Sequence, residues 1–315
     1  VACRDLLWHA AIARFAYDRQ VNKPVVVVVV AVLAGAACGG GAPTVAAASE
    51  AVTVAFQPTA FGVAVAGRGR PVILIPCLGC PGTMWMPTVG HLGASVQTHV
   101  LTLSGFAGRP PIDKPLIATA RAELALYIRD RHLDHPIVIG HSLGGFLTYW
   151  LAATEPDLVG PVVTVDAAPA LIAIPGAVAY AAKQRDRWKQ LPAGDFADAI
   201  RAFFAPMINE PSHLEPLMRD IVRSDPRTVA DAFYELFTTD LRPDLAKIKA
   251  PLLAIIADSE DQQLITDQLA PIARHQAVVL PHTKHMVMLD DPSAFYRALD
   301  GFFAAHPAPP VAAAN

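Results

Sequence analysis

One serine stands where the chain could make it a nucleophile. The apolar run Ile137-Val-Ile139 passes directly into Gly140-His141-Ser142-Leu143-Gly144-Gly145 and then into a second apolar stretch, a pattern that reads as strand, tight turn and helix. A serine on such a turn is held on strained backbone above the end of a strand. Small residues two before and two after it are needed because a larger side chain would collide there. The start of the following helix aims backbone N–H groups at any anion forming over the hydroxyl. The spacing is neither Gly-x-Gly-x-x-Gly nor a Lys-bearing phosphate loop, so nucleotide binding is not the chemistry it suggests. A serine hydroxyl is a weak nucleophile at neutral pH and needs an imidazole within reach to take its proton.

The elements that must position this serine alternate. Short β-branched or apolar runs at 52–56, 61–65, 72–75, 100–103, 137–139, 162–165, 252–256 and 277–280 read as strands. Several are continuously apolar, as expected where both faces of a parallel sheet are covered. Amphipathic stretches at 116–131, 143–154 and 294–304 are long enough for crossover helices. The alternation predicts an α/β fold with a mostly parallel central sheet and flanking helices. Residues 167–240 break it with helical segments at 177–183, 196–204, 214–222 and 229–237 and no convincing strand. They read as an inserted helical cap, whose seven prolines between Pro169 and Pro226 predict short helices. The division expected is a leader over 1–48, a core formed by 49–166 and 241–306, the cap over 167–240, and a disordered tail over 307–315.

Composition narrows the partners. The 315 residues carry 25 Lys+Arg against 28 Asp+Glu, a formal net charge of −3. Without a long basic run there is no electrostatic footprint for nucleic acid. The 53% of hydrophobic residues suits a large core. The apolar run at 24–37, preceded by Lys23 and followed by small residues as far as Ser49, reads as an export signal. It is shorter than the ~20 residues that span a bilayer as a helix, and no basic stop-transfer segment follows. Translation is expected to begin at Val21, since residues 1–20 make an unusually long lead-in. The segment ending at Cys38 resembles a bacterial lipobox, except that Gly35 stands where a Leu-like residue is usual. Acylation at Cys38 would tether the protein to a membrane surface, whereas cleavage near Ala46 to Ala48 would release it. Either address is outside the cytoplasm, in the envelope or the medium.

From 51 to 306 the chain resembles the α/β-hydrolase superfamily. The resemblance rests on the serine turn and on three further segments in the same order. Val72-Ile-Leu-Ile-Pro-Cys-Leu78 is similar to the strand ending in the oxyanion turn, with Pro76-Cys77 where many relatives have His-Gly. Residues 100–108 are similar to the next strand and its loop, and residues 279–292 to the segment delivering the general base. The resemblance implies an α/β-hydrolase fold with Ser142 as nucleophile and His285 as base, His282 being the rival three residues earlier. Asp291 is better read as the N-cap of the final helix, with Pro292 in its first turn. The triad acid has two slots. Asp166 follows the strand after the nucleophile helix. Asp261, Glu260 and Asp258 share the turn after the penultimate strand, where Ala257 departs from the usual glycine. That departure and a shortened loop before His285 favour Asp166, with the later three as rivals. The oxyanion hole implied is the backbone N–H of Leu78 and of Leu143.

Cys77-Leu-Gly-Cys80 lies within the oxyanion turn. A redox dithiol has this spacing, but one such pair cannot hold zinc without two further ligands, and in an oxidising compartment it is expected to form a disulfide stiffening the turn. No metal or organic cofactor is implied. The apolar residues of the cap, including Leu171, Phe203, Phe233 and Leu236, are read as core with some roofing the site, and Trp85, Met86 and Trp150 as packing residues. The activity implied is hydrolysis of carboxylic esters of small to medium apolar substrates through an acyl-enzyme. Acyl transfer, thioester or lactone cleavage and peroxidase-type chemistry would use the same residues. A non-catalytic protein holding an apolar ligand in the capped pocket is the reading from a different class.

Overall fold

The computed structural model describes residues 55–307 and, as a separate unit, two short strands, Arg14–Asp18 and Lys23–Val27, paired antiparallel. The remainder of the apolar run at 24–37, Cys38, most of the predicted strand at 52–56 and the tail beyond 307 lie outside the described residues.

Seven strands form the main sheet. In chain order they are β1 (Phe61–Gly67), β2 (Arg70–Ile75), β3 (Val96–Leu103), β4 (Ile137–His141), β5 (Val162–Val165), β6 (Leu252–Ala257) and β7 (His275–Leu280), arranged in space as β1-β3-β2-β4-β5-β6-β7. Only β1 runs antiparallel to its neighbour. β4, β5 and β6 are buried along their whole length, which is why their sequences do not alternate. β7 lies at an edge and exposes most of its residues.

The helices of the core are α1 (Met86–Leu92), α2 (Leu116–Asp130), α3 (Leu143–Thr154), α8 (Gln262–Gln268), α9 (Val287–Asp290) and α10 (Pro292–Ala305). α2 packs on α3, and α3 packs on β4 and β5. His91 of α1 stacks on Tyr296 of α10 with ring centroids 4.0 Å apart. α10 opens as its sequence indicates, with Asp291 accepting from the Ala294 N–H at 2.8 Å and Pro292 at the first helical position. Trp85 is fully buried, whereas Met86 is half exposed and so is not the packing residue expected. Among the described residues no helix is long and apolar enough to cross a membrane.

Between β5 and β6 the chain is helical, with α4 (Ala177–Gln190), α5 (Ala193–Phe204), α6 (Leu214–Ile221) and α7 (Pro226–Thr238). α4, α5 and α7 run longer than predicted, because the prolines near them lie at or beyond helix ends, whereas α6, with Pro216 as its third residue, keeps to eight residues. Pro226 opens α7 behind the Asp225 cap, whose carboxylate accepts from the Thr228 N–H at 2.7 Å. α4 runs seven residues past the predicted 183 because Trp188 continues the buried face begun by Ala177 and Ala181. Trp188 then meets Phe196, Phe203 and Phe233 with ring centroids 5.1 to 6.4 Å apart, an aromatic core within the insertion.

The strand order places the site. From β2 the chain steps to β3 on one side and then to β4 on the other. A crevice therefore opens at the carboxyl ends of β2 and β4, where open α/β sheets bind ligands.

Candidate active site

Ser142 follows β4 at φ 54° and ψ −117°, backbone that costs a non-glycine residue of order 1–3 kcal/mol. The neighbours hold it there. Its N–H donates to the Val165 carbonyl at 2.9 Å, and its own carbonyl accepts from Phe146 in α3 at 2.9 Å. The flanking glycines are required by contact: a Cβ on Gly140 would lie 2.0 Å from the Gly144 carbonyl oxygen, and one on Gly144 would lie 2.3 Å from that of Ile75. β4, α3 and the end of β2 thus close around the turn with no room for side chains.

Ser142, Asp166 and His285 line one cavity of about 110 Å³, together with Ala167 and Leu171 before the insertion's first long helix, Leu236 from α7, and Ile265 from α8. His285 Nδ1 lies 2.5 Å from Asp166 Oδ2. A carboxylate only accepts, so Nδ1 carries the proton and Nε2 is left with the lone pair. Asp166 takes up its position immediately after β5, at φ 43°. Its N–H donates to the Ile255 carbonyl at 2.7 Å, and its Oδ1 accepts the Ala257 N–H at 2.9 Å. Burial alone would raise the Asp166 pKa, but the hydrogen bond and charge of His285 and the Ala257 N–H outweigh it and hold the carboxyl below its ordinary value.

The other acids do not meet the imidazole. Asp258, Glu260 and Asp261 are exposed. Asp258 accepts the His282 N–H at 3.0 Å and so shapes the base loop from outside, while Asp261 reaches the cavity wall. His282 itself is exposed on a left-handed turn, its carbonyl accepting from Asn209 at 2.6 Å. The loop carrying His285 is further fixed by Asp290, whose carboxylate accepts from the N–H groups of Asn209 and Lys284 at 2.9 and 2.7 Å.

Leu78 lies in the turn after β2, and Leu143 opens α3. Both residues are buried, and among the described residues neither N–H is taken up by a carbonyl outside the regular elements. The Leu143 N–H, at a helix start, has no partner within its helix. Cys77 and Cys80 are joined by a disulfide with Cα atoms 5.2 Å apart, across the left-handed Gly79. The Gly79 carbonyl accepts from Ser224 Oγ at 3.1 Å, and that hydroxyl accepts the Ala107 N–H at 2.9 Å. The turn is thereby tied both to the residues after α6 and to the loop after β3.

One neighbour of the site was not singled out by its sequence. His141, fully buried, places Nε2 2.8 Å from the His285 carbonyl oxygen and its ring 4.7 Å from the His285 ring. Burial first, and the nearby His285 second, push its pKa down to about 3. No group of three or more metal-binding side chains occurs among the described residues.

A seven-stranded, mostly parallel sheet with a serine on a strained turn between strand and helix defines a hydrolase of the α/β class. The chain belongs to the α/β-hydrolase family, whose model matches residues 72–298. It is 26% identical over 251 residues to the pimeloyl-[acyl-carrier protein] methyl ester esterase of Aeromonas hydrophila, covering 75% of this chain and 96% of that protein. To the N-formylmaleamate deformylase of Pseudomonas putida it is 26% identical over 248 residues, 76% of this chain and 88% of the relative. A thermophilic esterase from Thermogutta terrifontis superposes with a TM-score of 0.69 at 19% identity, covering 78% of this chain and 93% of the other.

Proposed function

We propose that this hydrolase is a serine esterase that cleaves carboxylic esters of small to medium apolar substrates through an acyl-enzyme. The observation that carries the reading is the 2.5 Å hydrogen bond between Asp166 and His285, in a cavity that Ser142 also lines. His285 Nε2 takes the Ser142 proton as Oγ attacks the ester carbonyl. The oxyanion that forms is met by the N–H groups of Leu78 and Leu143. Collapse expels the alkoxide, which takes the proton from His285. Water then repeats the sequence on the acyl-enzyme, releasing the acid and restoring Ser142. The buried Asp166 carboxylate keeps the proton on Nδ1 and stabilises the imidazolium.

The apolar walls from Ala167, Leu171, Leu236 and Ile265 support an uncharged group next to the reacting carbon, and the cavity volume supports a short one. The insertion over 167–240 acts as the cap, with Leu171 and Leu236 as its contribution to the cavity. The names of the two relatives, an ester hydrolase and a deformylase, are consistent with acyl chemistry. A non-catalytic binding role would need a displaced acid, and the Asp166–His285 pair weighs against it. The apolar run at 24–37 supports export, followed either by release or by anchoring through Cys38.

Hydrolysis of a p-nitrophenyl ester series from acetate to decanoate tests the reading. The expected result is turnover that is fastest at the short end and absent in Ser142→Ala. Failure of the folded protein to cleave any member, or undiminished cleavage by Ser142→Ala, would overturn it.

A further inference from the structure

His141 occupies the variable position before the nucleophile, and its environment is unusual for a histidine. It is fully buried, its Nδ1 has no hydrogen-bond partner among the described residues, and its Nε2 meets only the main-chain carbonyl of His285, 144 residues away in sequence. A carbonyl oxygen accepts, so the proton lies on Nε2 and Nδ1 is a bare, buried acceptor. Leaving a buried acceptor unmatched is a cost. An apolar residue would avoid it.

We infer that His141 is a positioning residue that fixes the base loop relative to the nucleophile, an inference that rests on the Ser142–His285 reading above. His285 is held at three points. Its side chain is held by Asp166, the next N–H, that of Met286, donates to the Met207 carbonyl at 3.2 Å, and its own carbonyl is held by His141. The first two holds come from the end of β5 and from the insertion. Only the third comes from the strand that carries the serine. Ser142 and His285 are thus linked through one peptide bond and one hydrogen bond. The position is also suited to the chemistry. Burial keeps His141 neutral, so the loop is held by a donor that brings no positive charge next to the imidazolium formed in the transition state. Lysine or arginine there would supply a donor but oppose that charge.

The test compares His141→Gln, His141→Asn and His141→Leu in the full chain. A glutamine amide can place its N–H near the position of Nε2, whereas asparagine is too short to reach the carbonyl and leucine has no donor. The readouts are kcat and KM on p-nitrophenyl acetate, the rate of Ser142 labelling by a fluorophosphonate, and the thermal midpoint. Misplacing a reacting group by about an ångström costs on the order of 100-fold. The Leu and Asn variants are therefore expected to lose about 10- to 100-fold in kcat and in labelling rate with KM little changed. The Gln variant is expected to recover most of both. If Leu fails to fold, the Gln and Asn pair decides the matter alone. Asn or Leu variants that label and turn over within about twofold of the parent would overturn the inference. So would equal losses in Gln and Asn. Absence of labelling in the parent protein would overturn the reading of Ser142 itself, and the positioning role of His141 with it, an outcome distinct from losses confined to the variants.

Discussion

Replacing Asp166 by asparagine is the sharpest single change to the site, because it alters one proton and almost no volume. The Asn oxygen can still accept the Ala257 N–H that Asp166 Oδ1 accepts at 2.9 Å, so the turn after β5 keeps its anchor. The amide nitrogen then faces His285 Nδ1, where the carboxylate stood at 2.5 Å. Two donors cannot share that contact. The imidazole must move its proton to Nε2, the atom that has to receive the Ser142 proton. Loss of the correct tautomer and of the counter-charge to the imidazolium lowers kcat by about 10⁴-fold in triads of this kind, or about 5 kcal/mol in the barrier. KM should change by less than about threefold, because the loss falls on the transition state. The assay is steady-state hydrolysis of a short p-nitrophenyl ester by Asp166→Asn beside Asp258→Asn, Glu260→Gln and Asp261→Asn, with thermal midpoints as the control for folding. The three exposed acids should each stay within a few-fold of the parent. An Asp166→Asn protein retaining more than a tenth of parental kcat, or a 100-fold loss at one of the other three, would refute the assignment.

The glycines predict opposite signs. Gly140→Ala should cost about 3 kcal/mol or more and abolish activity, because its Cβ would meet the Gly144 carbonyl at 2.0 Å between two packed backbones. Gly301→Ala, in α10 with nothing within 4 Å, should stabilise by roughly 0.5–1 kcal/mol; denaturant midpoints check both. Stability should fall as the solution is made acid. Burial first and the Arg131 charge second lower the His99 pKa to about 4, and His141 is lowered to about 3. The unfolded chain therefore takes up protons from near pH 6.5, while the folded protein does not until pH 4 or below. This stabilisation is complete above about pH 6.5 and drains away as pH falls, towards about 4 for His99 and about 3 for His141. The Asp166 contribution follows at lower pH, lost as its depressed folded pKa is passed. A thermal midpoint that does not change between about pH 7 and 5 would contradict this. Reducing the Cys77–Cys80 disulfide should remove about 2 kcal/mol by the chain-entropy relation for so short a loop and lower kcat through the Leu78 turn. Unchanged midpoint and kcat in a thiol reductant would show that the bond does neither.

Much of this architecture is legible in the residues, for identifiable reasons. β4 and β6 announce themselves as apolar runs and β5 as a β-branched one because both faces are covered, and the predicted 143–154 coincides with α3 because the glycine-rich turn marks its start. Three of the insertion's four helices, α4, α5 and α7, are located but drawn too short, since proline marks a boundary without telling which side the helix lies on. α4 needs Trp188, whose burial depends on Phe203 and Phe233 far along the chain. The choice among four acids is only partly legible: Ala257 and the short loop before His285 lean towards Asp166 without deciding it. Asp166 differs from Asp258, Glu260 and Asp261 by its burial and by its approach to His285, and it is seated at the end of the β5–β6 pairing through its bonds to Ile255 and Ala257. His141 is hidden for a stronger reason. Its partner is a backbone carbonyl, which leaves no trace in residue type. The proposal of an export signal rests on composition alone, because the run at 24–37 lies almost wholly outside the described residues.

The central claim is that Ser142 is an activated nucleophile. The direct measurement is incubation of the full chain with a fluorophosphonate, followed by proteolysis and mass spectrometry of the labelled peptide, with Ser142→Ala alongside. The account predicts one adduct, on Ser142, and none in the alanine variant. A folded protein that takes up no label, or takes it up equally without Ser142, would contradict it.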